Sequence, residues 1–103
     1  MGIAISKWGP EDGGIAAVAA TNMLATALQS EQAVSEFEIE VRVDTTGVFS
    51  VMFDGTQCDL NGGDTLLAGR LYLFCIRVFW GDSINFRHSV NAAVFLRVCE
   101  VLG

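Results

Sequence analysis

Charged residues, and basic ones above all, are scarce in this sequence. Only 17% of its 103 residues are charged and 51% are apolar, whereas an average soluble domain has about 25% charged residues. The single Lys and five Arg are scattered, and twelve acidic residues give a net charge of −6. Because this field repels phosphate, we expect no nucleic-acid binding. So few charges also predict that part of the surface contacts other protein.

Long apolar segments and a basic amino-terminal region are missing too. The stretch between Asp12 and Glu31 carries no charge, but it is rich in Ala, Thr and Asn and has no flanking basic residues. We therefore predict no membrane span. Glu11 and Asp12 precede the short apolar stretch, where a signal peptide requires basic residues. We expect synthesis in the cytosol.

Cysteine is limited to Cys58, Cys75 and Cys99, an odd number without C-x-x-C spacing. Each lies in or beside an apolar strand pattern, which predicts buried free thiols in a reducing compartment. Their separations of 17 and 24 residues match no compact zinc knuckle. We predict neither a metal nor a cofactor.

His88 is the only histidine, and nearby Asp82, Ser83 and Ser89 suggest a catalytic triad. In a strand, however, His88 and Ser89 point to opposite faces, and no Gly-x-Ser-x-Gly motif is present. We predict no catalytic residue, no enzyme, and a strand or interface role for His88. A second polar group has oxygen ligands suited to calcium but not the EF-hand spacing, so we expect turns there. Its members are Asp54, Asp59, Asn61 and Asp64.

The chain is predicted to form a single domain with two parts. Residues 1–35 form an arm or assembly segment, since residues 1–14 are rich in glycine and contain Pro10. Within this part, Ile15 to Gln29 is either one short helix or an extended segment, and the pattern does not decide between them. Residues 36–103 form the second part, a β-sandwich.

Alternation of apolar and polar residues indicates strands throughout that second part. Glu36 to Val43 is a half-buried strand, and Val48 to Phe53 is predicted to pair with it as an antiparallel hairpin. Strands also follow at Leu71 to Trp80, Ile84 to Ser89 and Ala93 to Leu102. Turn signals at intervals of about ten residues favour an all-β fold, an antiparallel sandwich.

The strand from Leu71 to Trp80 has apolar residues on both faces. Because a domain of this size has few elements to cover a second face, we predict that other subunits do so. Arginines interrupt several apolar stretches and suit bidentate contacts to carboxylates such as Asp82 or Glu100. Trp8, in the arm, is a candidate anchor. The predicted interface residues are Trp8, Leu71, Leu73, Arg77, Phe79, Arg87 and Arg97.

A set of turn and strand residues extends this interpretation. It comprises Leu60 to Gly63, Leu66, Ala68 to Tyr72, Phe74, Ile76, Val78, Gly81 to Ser83, Asn85 to Arg87, Leu96, Val98, Glu100 and Val101. Residues Phe37 to Leu102 resemble small jelly-roll-like structural proteins of tailed bacteriophages, which include capsid decoration (cement) proteins and fibre-type modules.

The resemblance implies a jelly-roll-like virion protein, most simply a capsid decoration protein that bridges subunits. It implies a homotrimer that contacts the major capsid protein or other virion proteins, and it transfers no catalytic residue. A tail or fibre module is the related alternative. A carbohydrate-binding module, with Trp80 and Tyr72 as a stacking platform, is the alternative from another class.

Overall fold

Strict alternation in the longest predicted strand places the core. Phe37, Ile39, Val41 and Val43 are buried, whereas the glutamates between them lie on the opposite face. A computed structural model describes residues 3–8 and 14–102. Its strands are β1 Ile3–Trp8, β2 Ile15–Ala17, β3 Val34–Val43, β4 Phe49–Phe53, β5 Thr56–Asp59, β6 Leu71–Phe79, β7 Ile84–His88 and β8 Ala92–Leu102, with a 3-10 turn at Asn61–Gly63.

Two antiparallel sheets pack face to face around this core. The larger sheet has the order β1-β8-β3-β6, with β2 also paired to β8, and the smaller has the order β5-β4-β7. Phe37 and Ile39 of the larger sheet share one apolar cluster with Phe49 and Phe86 of the smaller sheet. The predicted all-β antiparallel sandwich is confirmed.

The predicted hairpin between Val43 and Val48 is wrong. β3 pairs with β6 and β8, whereas β4 pairs with β5 and β7, so the turn after β3 carries the chain from one sheet to the other. Asp44 anchors this crossing, because its N–H donates to Ala93 O at 3.0 Å and its Oδ1 accepts the Ala93 N–H at 2.8 Å. The chain therefore leaves β3 bonded to β8, and β4 cannot fold back on β3.

The hairpin that does form joins β4 to β5 through Asp54 and Gly55. Both residues have positive φ, 49° and 87°, as a two-residue type I′ turn requires. All four residues of β5 are exposed, so no apolar alternation marks this strand in the sequence.

Residues 15–29 contain no helix, so the helical alternative is wrong. After β2, the chain runs antiparallel beside β7, and the N–H groups of Ala20, Met23 and Leu28 donate to β7 carbonyls at 2.8 to 2.9 Å. The Asn85 side chain holds the same segment, with Oδ1 accepting the Leu24 N–H at 3.0 Å and Nδ2 donating to Leu24 O at 2.9 Å. The backbone bonds of this segment are thus made to β7.

Part of the predicted arm belongs to the larger sheet. β1 and β2 both pair antiparallel with β8, while residues 1, 2 and 9–13 of the arm lie outside the described part. The division at residue 36 stays a prediction, and β3 begins two residues before it. No helix among residues 3–8 and 14–102 is long and apolar enough to cross a membrane.

Candidate assembly surface

β6 forms one edge of the larger sheet and has β3 as its hydrogen-bonded neighbour. The pairing keeps one register from Val34 opposite Phe79 to Arg42 opposite Leu71, so no bulge interrupts it. Natural edge strands are usually short, bulged or charged, since an open edge is a template for pairing. β6 has nine residues, of which Arg77 alone is charged.

The outward face of β6 is apolar and open to solvent. The exposed fractions are 56% for Leu71, 63% for Leu73 and 51% for Phe79. Trp80, just after the strand, is 69% exposed, and Val34, opposite Phe79 on β3, is 47% exposed. Large apolar side chains so exposed along one strand typically mark a protein contact.

The inward face of β6 is covered only in part. Val78 is fully buried, but Tyr72, Phe74 and Ile76 are half-buried although they pack against the core. The Tyr72 and Phe74 rings stack in parallel with centroids 6.1 Å apart. The open edge therefore exposes apolar surface from both faces of the strand. We call β6 together with Trp80 and Val34 the β6 surface.

A stripe of glutamates flanks the β6 surface on the outer face of β3. Glu36 lies opposite Arg77, Glu38 opposite Cys75 and Glu40 opposite Leu73. Two of these carboxylates are exposed and Glu40 is half-buried. Beside Cys75, a depression of about 340 Å³ opens between Glu36 and Arg77. The surface thus has an apolar edge and an acidic side.

The arginines of the predicted interface lie on three different strands and do not form one site. Arg77 lies on the β6 surface, whereas Arg97 of β8 contacts Glu40, with Nη1 and Oε1 3.4 Å apart. Arg87 donates from Nε to Asn22 Oδ1 at 2.8 Å on the smaller sheet. The carboxylates expected as partners are engaged elsewhere: Asp82 accepts the Phe79 N–H at 2.9 Å, and Glu100 pairs with Lys7.

The two tryptophans occupy contrasting positions. Trp8 is half-buried and packs against the core, and its buried Nε1 has no hydrogen-bond partner among the described residues. Trp80 is the exposed indole, and its backbone N–H donates to Ala33 O at 2.9 Å. The role of Trp8 as an anchor stays a prediction, and Trp80 is the more exposed of the two indoles.

The predicted burial of the cysteines is wrong, although all three are free. Cys58 and Cys75 are exposed, and Cys99 is intermediate. Cys75 occupies an outward position of β6, and Cys58 lies on the exposed strand β5. In β6 the apolar neighbours of Cys75 that share its face are themselves exposed, and in β8 the buried Val98 lies on the other face from Cys99. β5 has no buried residue beside Cys58.

A buried ion pair lies at the opposite edge of the larger sheet. The Glu100 side chain is fully buried, and its Oε1 lies 3.1 Å from Lys7 Nζ. Its Oε2 accepts hydrogen bonds from the hydroxyls of Ser30 and Ser35 and from the Glu31 N–H. Burial alone would raise the pKa of Glu100, but these hydrogen bonds and Lys7 hold it below its ordinary value. This cluster ties β1 to β8 and the loop before β3.

Among the residues that the structure describes, none forms a catalytic triad with His88. The imidazole is fully buried, and Nε2 lies 2.9 Å from Thr45 O, so Nε2 carries the proton that the carbonyl accepts. Ser89 Oγ accepts the Val48 N–H at 2.8 Å. Near both lies a pocket of about 200 Å³. Ser50 and Gln57 donate there to Asp59 Oδ1 and hold the Asp59 pKa below its ordinary value.

Three of the four residues considered for calcium, Asp54, Asp59 and Asn61, have separate side-chain partners. Asp54 Oδ1 accepts the Ser83 N–H at 2.8 Å, and Asn61 Nδ2 donates to Thr65 O at 3.3 Å. Within residues 3–8 and 14–102, no three His, Cys, Asp or Glu side chains form a metal-binding group.

Comparison with known proteins adds no family to these observations. No protein-family model matches the chain, and no curated protein matches it significantly.

Proposed function

We propose that this chain is a structural subunit of a virion, most specifically a capsid decoration protein that stabilises the particle by contacts between subunits. The observation that carries the proposal is the β6 surface, an uncovered edge strand with large apolar side chains on its outer face and half-buried ones on its inner face. Such a strand suits a protein that functions when neighbours cover it.

The energetics favour many weak contacts over one. Burying a Leu or Phe side chain contributes about 1.5 to 3 kcal/mol, while association costs about 4 to 15 kcal/mol. Leu71, Leu73, Phe79 and Trp80 together therefore support a modest single contact. Repeated over the copies on a particle, such contacts sum to a large stabilisation. The partners are other copies of this chain, as a homotrimer if the resemblance extends that far, and the major capsid protein or other virion proteins.

The two alternatives receive different support. A tail or fibre module would use the same surface and is separated from a capsid role by its location on the particle. A carbohydrate-binding module is less well supported, because Tyr72 is stacked on Phe74 and its hydroxyl accepts the Leu67 N–H at 2.9 Å. Its ring is therefore no open platform beside Trp80.

The test is the composition of the particle itself. The particles to be analysed are those of the virus whose genome encodes this chain, purified on a density gradient. Mass spectrometry should find the chain there in many copies, and immunogold labelling should place it on the capsid. Labelling of the tail would support the alternative location. A chain recovered only from the supernatant, as a monomer retained on polysaccharide, would contradict the structural role.

A further inference from the structure

The backbone of β6 has a defined set of free hydrogen-bonding groups. Trp80 N–H donates to Ala33 O on the β3 side. In an antiparallel strand the backbone direction alternates, and the β3–β6 register is unbroken. Even-numbered residues therefore bond to β3, and the N–H and C=O groups of odd-numbered residues point to the open edge.

Phe79 closes one end of this edge. Its N–H donates to Asp82 Oδ2 at 2.9 Å, and its carbonyl accepts the Asp82 N–H at 3.0 Å. For the other four odd-numbered residues, no partner of the backbone N–H or C=O group is found within residues 3–8 and 14–102. The free set is therefore Leu71, Leu73, Cys75 and Arg77.

We infer that this edge pairs with the β6 edge of a second copy, antiparallel, about a twofold axis at Phe74. This inference rests on the proposed function, because it names the partner of the same β6 surface. The axis at Phe74 sets Leu71 opposite Arg77 and Leu73 opposite Cys75 of the second copy. It is the one axis position that pairs all four free residues among themselves. An axis at Cys75, for example, would set Leu71 opposite Phe79, whose groups already bond to Asp82.

The side chains fit this arrangement as well. On the inward face, the half-buried Phe74 meets Phe74 of the second copy. On the outward face, Leu71 lies beside Arg77 of the second copy and Leu73 beside its Cys75, where each faces water in the single chain. The two sandwiches then share one continuous sheet, which removes the open edge.

Charge favours edge pairing over stacking of the outer faces. Each chain has a net charge of −6, and face-to-face stacking would place two Glu36, Glu38 and Glu40 stripes together. In the edge-paired dimer the two β3 strands are three strand spacings apart, about 14 Å. That distance exceeds the Debye length of about 8 Å at physiological salt, so the repulsion is largely screened.

Disulfide trapping tests the register. The variants are made with Cys58→Ser and Cys99→Ser, and diamide is the oxidant that accepts the two electrons and two protons released by each thiol pair. Opposed residues have Cα atoms about 5.5 Å apart, within disulfide range. A Leu73→Cys variant that keeps Cys75 should convert most of the protein to a covalent dimer. Within one chain the two thiols lie about 7 Å apart on one strand face, too far to bond.

Two matched proteins serve as controls. Cys75 alone, and Leu73→Cys with Cys75→Ser, should each remain at least tenfold less crosslinked, because each thiol then lies diagonal to its counterpart. Crosslinking of the protein that has Cys75 alone would overturn this pairing and leave the proposed function standing. So would the absence of crosslinking in all three proteins if they sediment as oligomers. A trimer would do the same, because a twofold contact closes with two copies. A monomer absent from purified particles would overturn both.

Discussion

At the scale of single residues, the Glu100 carboxylate is the most constrained charge that the structure describes. It lies fully buried between Lys7, Ser30, Ser35 and the Glu31 N–H. Lys7 Nζ also lies 2.6 Å from Oε1 of the exposed Glu31, so loss of Glu100 would leave Lys7 one exposed partner. The buried serine hydroxyls and the Glu31 N–H would lose their charged acceptor, which is costlier than losing an exposed ion pair. Nothing local in the sequence signals this contact, since Lys7 and Glu100 lie near opposite ends of the chain.

Glu100→Gln should lower the free energy of unfolding by about 2 to 4 kcal/mol. The amide keeps the shape of the carboxylate but loses the charge opposite Lys7, and its NH₂ group cannot accept from the serines. Urea unfolding at one fixed protein concentration measures the loss. Glu36→Gln, an exposed glutamate on β3, is the control and should change stability by less than about 0.5 kcal/mol. Equal effects for the two would contradict a special role of Glu100.

The same carboxylate predicts how stability depends on pH. Its pKa is lowered in the folded state, so its contribution is present above the unfolded value of about 4.3 and is lost as pH falls through the folded value. Between about pH 6 and about pH 3, the free energy of unfolding should therefore fall further for the wild type than for Glu100→Gln. Asp59, whose pKa is also lowered, affects both proteins alike. Parallel pH profiles would refute the assignment.

At the scale of elements, the sequence predicts strands better than their partners. The period of two in β3 follows from one buried face, so Phe37 to Val43 could be placed from the sequence. Whether β4 pairs with β3 depends on contacts between distant residues, such as Asp44 with Ala93. β5 was missed because all of its residues are exposed, although Asp54-Gly55 is a recognised type I′ turn signal.

One side chain that the sequence does not single out, Asn85, helps to hold the segment beside β7. Asn85→Ala should cost about 1 to 3 kcal/mol, since it leaves the N–H and C=O of Leu24 without partners in a buried position. Asn91 is the matched control: its Oδ1 accepts the Ala19 N–H at 2.7 Å in an exposed setting. Asn91→Ala should cost less than about 1 kcal/mol because water replaces the bond.

Hydrogen exchange locates the effect of Asn85→Ala. Exchange should accelerate at the amides of Met23, Leu24 and Leu28 but not in β3, because the segment opens locally before the sandwich unfolds. Uniform acceleration across both sheets, or none, would contradict the view that Asn85 docks this segment.

At the scale of the whole molecule, the candidate site was predicted in part. Leu71, Leu73 and Phe79 were identified because β6 is apolar at nearly every position, and they are exposed as that pattern suggested. That β6 lies at an edge follows from the sheet order, which alternation cannot reveal. The exposure of Trp80 could not be predicted for the same reason, since exposure beyond a strand end depends on what packs there.

The central claim is that the β6 surface is an assembly contact. Leu73→Lys tests it, because Leu73 is 63% exposed and lies opposite Glu40, so the fold tolerates the charge, while an edge lysine disfavours strand pairing. The control is Val18→Lys, at a residue 61% exposed outside the β6 surface.

The deciding measurement is sedimentation equilibrium of the three purified proteins across a range of concentrations. The wild type and Val18→Lys should associate with the same dissociation constant, and Leu73→Lys should weaken association at least tenfold. A wild type that remains monomeric throughout, or a Leu73→Lys protein that associates as tightly as the wild type, would contradict the account.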